Sequence, residues 1–600
     1  MPSMLRALLA VSAATACLAS AQFPFQARFG TAAFGSPNAY SNDSDYYQFK
    51  WPIQKVAIIG AGVSGLLAYR ELVDVGLEVR VFERNAVPGG VWHYTEDSQG
   101  PAPVPNVDPV VADYAPSLPP HGVSLPHVVY HNDRHEKTGM TSAERWREHR
   151  APHGVWNSLT SNVPAPLMKV RVSQLIHAMY RPRIQFHEHD WPEGTPWRIP
   201  QQSLQRYLRS VYSFYGLNAN DDNPCMSYNT RVELVQKRFD AQGKERGWTL
   251  MLKKLEMVGN EASREEWWTE DFDAVVVATG TFNAPSMPNI PGLAEWKERY
   301  PETIVHSRQY RRPEMFANHS VLVVGAGTSG TGISADLNPF VKRNLLSWRQ
   351  SERSNTAAAF LKLLPQGVKV VVGIDRFHPD NRTIELADGT ILSDIDEIIF
   401  ATGYRYTFPF LPQVHNSSIK GPWAEGPQDQ PQPVVTDGTH FRSLWFDLFY
   451  IDEPTLAFIN QGLNVVTFTW GENLAIALAR VWTGTARLPG RETMWAKYRE
   501  WVKEQGGYGK WLIFTSWERQ NEVVNYYAGW LDSEAYLFGG KRFVEEERGH
   551  YEILRVWMQA FFGNNNPVKL PDMPKKFGVS AVDEGVDQAR KLFEYFTSGY

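Results

Sequence analysis

The stretch VAIIGAGVSG at residues 56–65 decides the fold class, and VLVVGAGTSG at residues 321–330 repeats it. Each is an apolar run typical of a buried strand, followed by GxGxxG and then by a stretch typical of a helix. In this arrangement the N–H groups at a helix N-terminus bind a pyrophosphate. The pattern predicts two dinucleotide-binding units whose turns are lined by Gly60, Gly62, Gly65, Gly325, Gly327, Ser329 and Gly330.

The residues that follow the two turns differ in charge. The strand after the first turn ends in Glu83, a carboxylate suited to accept hydrogen bonds from ribose hydroxyls. The strand after the second turn runs into Ser347 and Arg349, a hydroxyl and a guanidinium suited to a 2′-phosphate. The first site is therefore predicted to hold FAD or NAD, and the second NADPH. A chain with both sites is predicted to be a redox enzyme.

Each turn also has a matching return strand. Residues 273–277 lead to Ala-Thr-Gly at 278–280, and residues 396–400 lead to Ala-Thr-Gly at 401–403. In both, a short buried strand ends in a turn of small residues, where backbone can approach a cofactor. Because a lone GxGxxG is common, this pairing is what favours cofactor binding over a purely structural turn.

Composition and charge exclude several classes of protein. A chain of 600 residues is expected to form two or three domains. The net charge of −5 gives no basic surface, so we expect no nucleic-acid partner. The chain has two cysteines and no CxxC pair, which argues against the disulfide-reductase class of flavoproteins. We predict no metal site.

The N-terminus has the pattern of a secretory signal peptide. An apolar run at residues 7–18 precedes Ala-Ser-Ala at 19–21, which fits signal-peptidase cleavage before Gln22. The run is short for a membrane span, and no later segment offers about 18 consecutive apolar residues. The pattern predicts a protein of the secretory pathway or a secreted one, with an uncleaved membrane anchor as the alternative. Sequons for N-glycosylation occur at Asn42, Asn318, Asn381 and Asn416.

The order of these segments predicts an α/β fold in which an NADPH domain is inserted into an FAD domain. A Pro-rich stretch at 99–122 is interpreted as a surface insertion, and 231–255 as a hairpin. The predicted division is a signal peptide (1–21), an arm (22–49), the first part of the FAD domain (50–298), the NADPH domain (299–400), the second part of the FAD domain (401–562) and a C-terminal extension (563–600).

The motifs resemble those of the flavin-containing monooxygenases, in the same order along the chain. Besides the two glycine turns, the resemblance rests on GGVW at 89–92, LTSNVP at 159–164, a Pro-spaced linker at 283–292, HSRQY at 306–310 and ATGY at 401–404. It covers about residues 50 to 505, and a combination of so many ordered motifs is far more specific than any one of them.

The resemblance implies a reaction cycle with FAD and NADPH as cofactors. NADPH reduces the flavin, which takes up O2 as a C4a-hydroperoxide and oxygenates a nucleophilic nitrogen or sulfur of a small molecule or peptide. A place in secondary metabolism rests on analogy alone. The resemblance also implies Asn162 as the catalytic amide beside the flavin, and the following residues as FAD contacts: Gly90, Val91, Trp92 and Val232.

Some positions depart from the family pattern, and alternatives remain open. The fingerprint ends in Tyr310, where Baeyer–Villiger enzymes usually carry Trp, which favours heteroatom oxygenation. The segment WGENL at 470–474 replaces the family's F-x-E-x-Q, so one flavin contact is in doubt. The alternatives are a Baeyer–Villiger enzyme acting on a ketone, a secreted flavin oxidase that releases H2O2, and a non-catalytic protein of the same fold.

Overall fold

The computed structural model describes residues 46–135, 139–163, 168–170, 198–349, 360–362 and 364–513. The predicted signal peptide, most of the predicted arm and the predicted C-terminal extension lie outside the described residues. Among the helices of the described part, none is long and apolar enough to cross a bilayer.

Helices and strands alternate over most of the described chain. The helices are α1 (Val63–Asp74), α2 (Ser142–Arg150), α3 (Gln201–Phe214), α4 (Leu293–Arg299), α5 (Thr328–Leu337), α6 (Thr467–Trp482) and α7 (Arg491–Glu504). The strands are β1 (Lys55–Ile59), β2 (Glu78–Phe82), β3 (His127–Asn132), β4 (Met226–Ser227), β5 (Thr230–Phe239), β6 (Glu245–Met257), β7 (Ala262–Phe272), β8 (Ala274–Val277), β9 (Ile304–His306), β10 (Ser320–Val324), β11 (Arg343–Trp348), β12 (Val368–Val372), β13 (Ile374–His378), β14 (Thr383–Leu386), β15 (Ile391–Leu392), β16 (Glu397–Phe400), β17 (Leu444–Trp445), β18 (Phe449–Tyr450) and β19 (Leu456–Phe458).

The first glycine turn belongs to a seven-stranded sheet of order β17-β18-β19-β8-β1-β2-β4. β1 pairs in parallel with β2 on one side and with β8 on the other, so α1 makes the crossover of a βαβ unit. Almost every side chain of β1 and β8 is buried. A parallel strand covered on both faces reads as a continuous apolar run, which is why these two strands are so apolar.

The second glycine turn belongs to a five-stranded parallel sheet of order β12-β11-β10-β16-β9. All of its strands lie within residues 304–400, whereas the first sheet takes strands from both before and after that range. The second unit is therefore inserted into the first. This confirms the predicted α/β fold of two Rossmann-like units; the residue boundaries of the domains stay predictions.

A four-stranded antiparallel sheet of order β3-β7-β6-β5 extends the first unit. Its β5–β6 pair confirms the hairpin predicted at 231–255. The Pro-rich stretch at 99–122 is not simply a surface insertion, because Gln99 is buried and the Tyr114 hydroxyl donates to the Val232 carbonyl at 2.8 Å. The interpretation was wrong in this respect because closely spaced prolines indicate a stiff backbone and carry no information about burial.

Two connecting segments join the units, and they run side by side. The N–H of Ser286 donates to the carbonyl of Gly403 at 3.0 Å, and the N–H of Arg405 donates to the carbonyl of Ala284 at 2.8 Å. This antiparallel pairing holds the Pro-spaced linker against the second Ala-Thr-Gly turn. The two ends of the inserted unit are therefore adjacent.

Separate apolar cores stabilise the two units. The largest buried cluster fills the first unit, and two smaller clusters belong to the second. Leu322 and Leu345 contribute to one of the smaller clusters, while their neighbours Val323 and Leu346 contribute to the other. Successive strand residues point to opposite faces, so the parallel sheet lies between these two clusters. Both glycine turns follow the C-terminal ends of parallel strands, where open α/β sheets bind ligands.

Candidate active site

The first glycine turn is closed by backbone contacts that only glycine permits. A Cβ atom on Gly60, whose φ is 105°, would lie 2.7 Å from the carbonyl oxygen of Ala278. A Cβ atom on Gly65 would lie 2.0 Å from the carbonyl oxygen of Gly60. The turn is thus packed against the first Ala-Thr-Gly turn, as the paired motifs predict.

The N-terminus of α1 lies at the first glycine turn. Gly62 is its N-cap, and among the described residues no side chain caps the helix. The 3₁₀ turn at Gly90–Trp92 approaches so closely that a Cβ atom on Gly90 would lie 2.8 Å from the Cα of Gly62. The three residues of that turn, Val91 among them, are half-buried. Uncapped N–H groups beside a glycine-lined surface fit the pyrophosphate of FAD.

Glu83 faces the first glycine turn. One of its carboxylate oxygens accepts the N–H of Ala61 at 2.7 Å, and the other accepts the N–H of Asn85 at 2.7 Å. Burial raises the pKa of Glu83, while these hydrogen bonds oppose the rise. A carboxylate oxygen can accept a second hydrogen bond, so the ribose contact predicted for Glu83 needs no rearrangement. That contact stays a prediction.

Val232 lies in β5 with its side chain buried. Its strand starts beside the end of β2, because the N–H of Thr230 donates to the backbone carbonyl of Glu83 at 2.8 Å. Val232 lies two residues further along β5. Its contact with FAD stays a prediction.

The second glycine turn repeats the geometry of the first. A Cβ atom on Gly325 would lie 2.7 Å from the carbonyl oxygen of Ala401, and one on Gly330 would lie 1.8 Å from the carbonyl oxygen of Gly325. Gly327 caps α5 without any side-chain cap, and a Cβ atom there would meet nothing within 4 Å. Ser329 is half-buried in the first turn of the helix. This open N-terminus fits the pyrophosphate of a second dinucleotide.

The first glycine of each turn makes the same backbone hydrogen bond to the second strand of its unit, and this bond shows which residues of the two units correspond. The first glycine of each turn donates its N–H to a strand carbonyl, that of Phe82 at 2.8 Å in the first unit and that of Ser347 at 3.0 Å in the second. Ser347 is therefore the counterpart of Phe82. The next residue along, Trp348, is the counterpart of Glu83.

This correspondence bears on the residues predicted to bind the 2′-phosphate, Ser347 and Arg349. Ser347 is buried, and its hydroxyl donates to the carbonyl of Val372 at 3.0 Å, so a phosphate contact would require that bond to break. Arg349 is exposed at the strand end. Trp348, which the sequence reasoning missed, is half-buried, and its buried Nε1 atom has no hydrogen-bond partner among the described residues. Trp348 lies 23 residues after Gly325, as Glu83 lies 23 residues after Gly60, and counting from the first glycine of each turn would have found it.

Asn162 is exposed in a bend beside the first unit. The preceding Ser161 donates its N–H to the carbonyl of Ile199 at 2.8 Å and accepts the N–H of Ile199 on its hydroxyl at 2.9 Å. Ile199 lies two residues before α3, and Gln205 of that helix is hydrogen-bonded to the His93 ring at 2.9 Å. Since His93 directly follows the Gly90–Trp92 turn, α3 joins the segment of Asn162 to the FAD-side turn. The catalytic role of Asn162 stays a prediction.

Comparison with known proteins gives the family. A model of the flavin-binding monooxygenase-like family matches residues 169–354, and a model of the NAD(P)-binding Rossmann-like domain matches residues 58–128. The flavin-containing monooxygenase iboF of Amanita muscaria is 44% identical over 519 residues, which cover 84% of this chain and 92% of the relative. The chain belongs to the flavin-containing monooxygenases.

A second relative agrees with this assignment, and a solved structure shares the fold. The flavin-containing monooxygenase ustF2 of Aspergillus flavus is 32% identical over 480 residues, which cover 76% of this chain and 87% of the relative. The solved structure of S-allyl-L-cysteine S-oxygenase from Allium sativum shares the fold, with a TM-score of 0.55 and 22% identity over 90% of this chain and 99% of the other. As a flavin-containing monooxygenase, the protein is an enzyme that uses FAD and NADPH.

His306 of this flavin-containing monooxygenase holds the second unit against a connecting segment. Its Nε2 donates to the carbonyl of Gly403 at 3.1 Å, and its Nδ1 accepts the N–H of Arg308 at 3.2 Å. Burial lowers the pKa of His306 to about 3. The ring is therefore neutral near pH 7 and acts as a fixed link between backbone groups.

Tyr310 packs inside the second unit. Its hydroxyl donates to Asp336 at 2.7 Å, and its ring stacks on Phe316 and meets the edge of Trp156. Within the described residues it faces this core and no open cleft. In this monooxygenase Tyr310 is therefore a packing residue. Its identity, which favoured heteroatom oxygenation in the sequence analysis, gives no direct evidence about the substrate.

The WGENL segment contributes a buried ion pair. Glu472, its third residue, accepts a hydrogen bond from Arg70 at 2.6 Å, and both side chains are almost fully buried. Arg70 also contacts Glu71 at 2.5 Å. In this flavin-containing monooxygenase the pair joins α6 to α1, the helix behind the FAD-side turn. Sequence reasoning missed Arg70, although a lone arginine on an apolar helix signals a buried partner.

Proposed function

We propose that this flavin-containing monooxygenase oxygenates a nucleophilic nitrogen or sulfur of a small molecule or peptide. In the balanced reaction, NADPH and a proton supply two electrons and two hydrogens. One atom of O2 enters the substrate, and the other leaves as water. A place in secondary metabolism is part of the proposal, by analogy with the family.

The observation that carries the proposal is the pair of uncapped helix N-termini at the two glycine turns. Within the part of the chain that the structure describes, both α1 and α5 begin at these turns without a side-chain cap. The N–H groups of α1 would hold the pyrophosphate of FAD, with Glu83 toward its ribose. The N–H groups of α5 would hold that of NADPH, with Arg349 toward the 2′-phosphate. When bound and reduced, the flavin supplies the activation of O2.

The proposed role of Asn162 follows from the chemistry of its side chain. A primary amide can donate and accept hydrogen bonds at once, so it can hold a reacting oxygen and a neighbouring N–H group in place. Ser161 makes three hydrogen bonds, two with Ile199 and one to the carbonyl of Val163, and these fix the backbone on both sides of Asn162.

Stopped-flow absorbance of the purified holoenzyme tests the proposal. The enzyme is reduced with NADPH without O2 and then mixed with O2 without substrate. We expect an absorbance band distinct from both oxidised and reduced flavin, lasting seconds or longer, whose decay is accelerated by an amine or a thioether that gains one oxygen. Immediate return of oxidised flavin with stoichiometric H2O2 would instead identify an oxidase, and a ketone converted to an ester would identify a Baeyer–Villiger enzyme.

We also propose that the protein enters the secretory pathway. The support is the leader pattern at residues 1–21 and the sequons, of which Asn318, Asn381 and Asn416 are exposed. Sequencing the N-terminus of the protein from its natural host should give Gln22 as the first residue, and an N-glycosidase should lower its apparent mass. A retained Met1 with no mass change would contradict secretion, and a retained leader in the membrane fraction would identify an anchor.

A further inference from the structure

The chain before Asn162 packs against both units. We call residues 153–163 the Trp156 segment. Trp156 is buried in a core cluster of the second unit, and Leu159 packs against the same cluster. Val163, at the other end, packs against the core of the first unit. Asn162 therefore lies where the segment passes from one core to the other.

Hydrogen bonds make the Trp156 segment a stiff connection. The N–H of Asn157 donates to the carbonyl of Arg311 at 3.0 Å, which attaches the segment to the second unit. The N–H of Leu159 donates to the carbonyl of Trp156 at 3.2 Å, and the carbonyl of Leu159 accepts the N–H of Gln201 at 2.8 Å. A shift of the Trp156 ring is thus transmitted through one short turn to the residues next to Asn162.

Trp156 contacts the backbone of α5 at Gly332. A Cβ atom on Gly332 would lie 3.2 Å from Cζ2 and 3.6 Å from Cη2 of the indole ring. A glycine inside a helix makes the helix less stable than an alanine would. A glycine at such a position therefore usually makes room for a neighbouring group. Here the ring edge occupies the place of the missing side chain.

The helix that carries Gly332 is also the helix whose N-terminus fits a dinucleotide. Gly327 at that N-terminus is exposed and uncapped, and Gly332 lies five residues further along α5. A helix of this length moves as one rigid piece. The proposed dinucleotide site and the contact with Trp156 therefore lie on the same helix.

We infer that Trp156, seated on Gly332, is a positioning residue that fixes Asn162 relative to the NADPH-binding helix. The inference rests on the proposed function, since it takes Asn162 as the active-site amide. It assigns to the contact a role beyond packing: the dinucleotide on α5 and the amide of Asn162 are held at a set distance. Loosening the contact should leave the dinucleotide bound but the amide misplaced.

Gly332→Ala is the first test, because the added methyl group forces the indole ring to move by a few tenths of an ångström. Hydrogen exchange of residues 153–163 is measured in the FAD-loaded enzyme with and without NADP⁺. In the wild type NADP⁺ should slow this exchange at least about twofold, and the variant should lose that protection. Release of H2O2 without substrate should rise about threefold to tenfold, while the Kd for NADP⁺ changes less than about twofold.

Trp156→Phe in the Gly332→Ala background is the rescue. Phenylalanine lacks the outer edge of the indole that meets Gly332, so the alanine methyl group can fill that place. Protection by NADP⁺ and the low rate of H2O2 release should return to within about twofold of the wild type. Gly509→Ala is the matched control, because a Cβ atom there meets no described residue within 4 Å.

The outcomes separate the inference from the proposed function. Unchanged protection and unchanged H2O2 release in Gly332→Ala would overturn the inference, and so would a loss of NADP⁺ affinity equal to the rise in leakage. Failure of the double variant to recover would reduce the contact to ordinary packing and would also overturn it. Fast stoichiometric H2O2 release by the wild type would overturn the proposed function, whatever the exchange experiment shows.

Discussion

Glu83 and Trp348 occupy equivalent positions in the two βαβ units, each directly after the strand residue whose carbonyl accepts the N–H of the first glycine. A carboxylate at this position binds ribose hydroxyls and repels a 2′-phosphate. An indole does neither, and it offers a flat face and an N–H donor. The second unit therefore has no charge opposed to NADPH at the position where the first unit has one.

Arg349→Ala should raise the KM for NADPH more than the KM for NADH, by up to about tens-fold for the loss of one charge-assisted pair. The measurement is steady-state kinetics with both nucleotides. Arg343→Ala, at the opposite end of β11, is the control and should change neither value. Equal increases for the two nucleotides would remove Arg349 from the 2′-phosphate site.

Glu83→Gln should weaken FAD binding by about tenfold or more, because a neutral amide replaces a carboxylate that accepts two backbone N–H groups. Flavin retained after dilution and ultrafiltration measures the effect. Glu78→Gln, exposed on the same strand, provides the control. If both variants retain flavin equally, Glu83 does not serve the FAD site.

Asn162→Ala should still be reduced by NADPH but should release H2O2 in place of oxygenated product. The amide contributes only after O2 has reacted, so the rate of flavin reduction should stay within about twofold of the wild type. Asn162→Asp keeps the shape and loses the N–H donor, and it should leak as well. An unchanged H2O2 yield in both would exclude Asn162 from the active site.

Glu472→Gln should lower the free energy of unfolding by about 2 kcal/mol or more, because it removes a buried negative charge that lies 2.6 Å from the Arg70 guanidinium. Glu71 remains beside Arg70 and limits the loss. Glu71→Gln should cost less, since that carboxylate is partly exposed. Urea unfolding of the two variants gives the comparison, and equal losses would argue against a central role for Glu472.

Stability should fall as the pH drops below about 6.5, in part through His306. The folded ring has a pKa of about 3 because of burial, whereas an unfolded histidine titrates near its ordinary value. Between these pH values the unfolded chain binds a proton that the folded chain does not, so each such group costs about 1.4 kcal/mol per pH unit. His306→Gln should show a shallower fall in thermal midpoint between pH 7 and pH 5 than the wild type. His121→Gln, at an exposed histidine, is the control variant.

Local signals allowed both βαβ units and the hairpin to be predicted from the sequence. An apolar run ending in GxGxxG specifies a strand, a tight turn and a helix within about 20 residues, so the motif is recognised locally even though its first glycine packs against a distant Ala-Thr-Gly turn. The insertion of one unit into the other also followed, because the second motif interrupts strands that belong to the first sheet.

Contacts between residues far apart in the sequence could not be predicted. Trp156 and Leu159 pack in the core of the second unit, although they lie far before its predicted start at residue 299. No periodicity or spacing marks such an exchange of side chains between units. The prediction for the 2′-phosphate likewise named Ser347 and Arg349 and omitted Trp348 between them, because the sequence does not show where β11 ends.

The two connections between the units run side by side, so the second unit could be exchanged as a block. Because Ser286 and Gly403 are joined by a hydrogen bond, a chain could pass directly from one to the other without disturbing the first sheet. The residues between them therefore act as a cassette. Exchanging that cassette for one from a relative offers a route to a different nucleotide preference. The new helix must keep a glycine at the position of Gly332, where Trp156 packs.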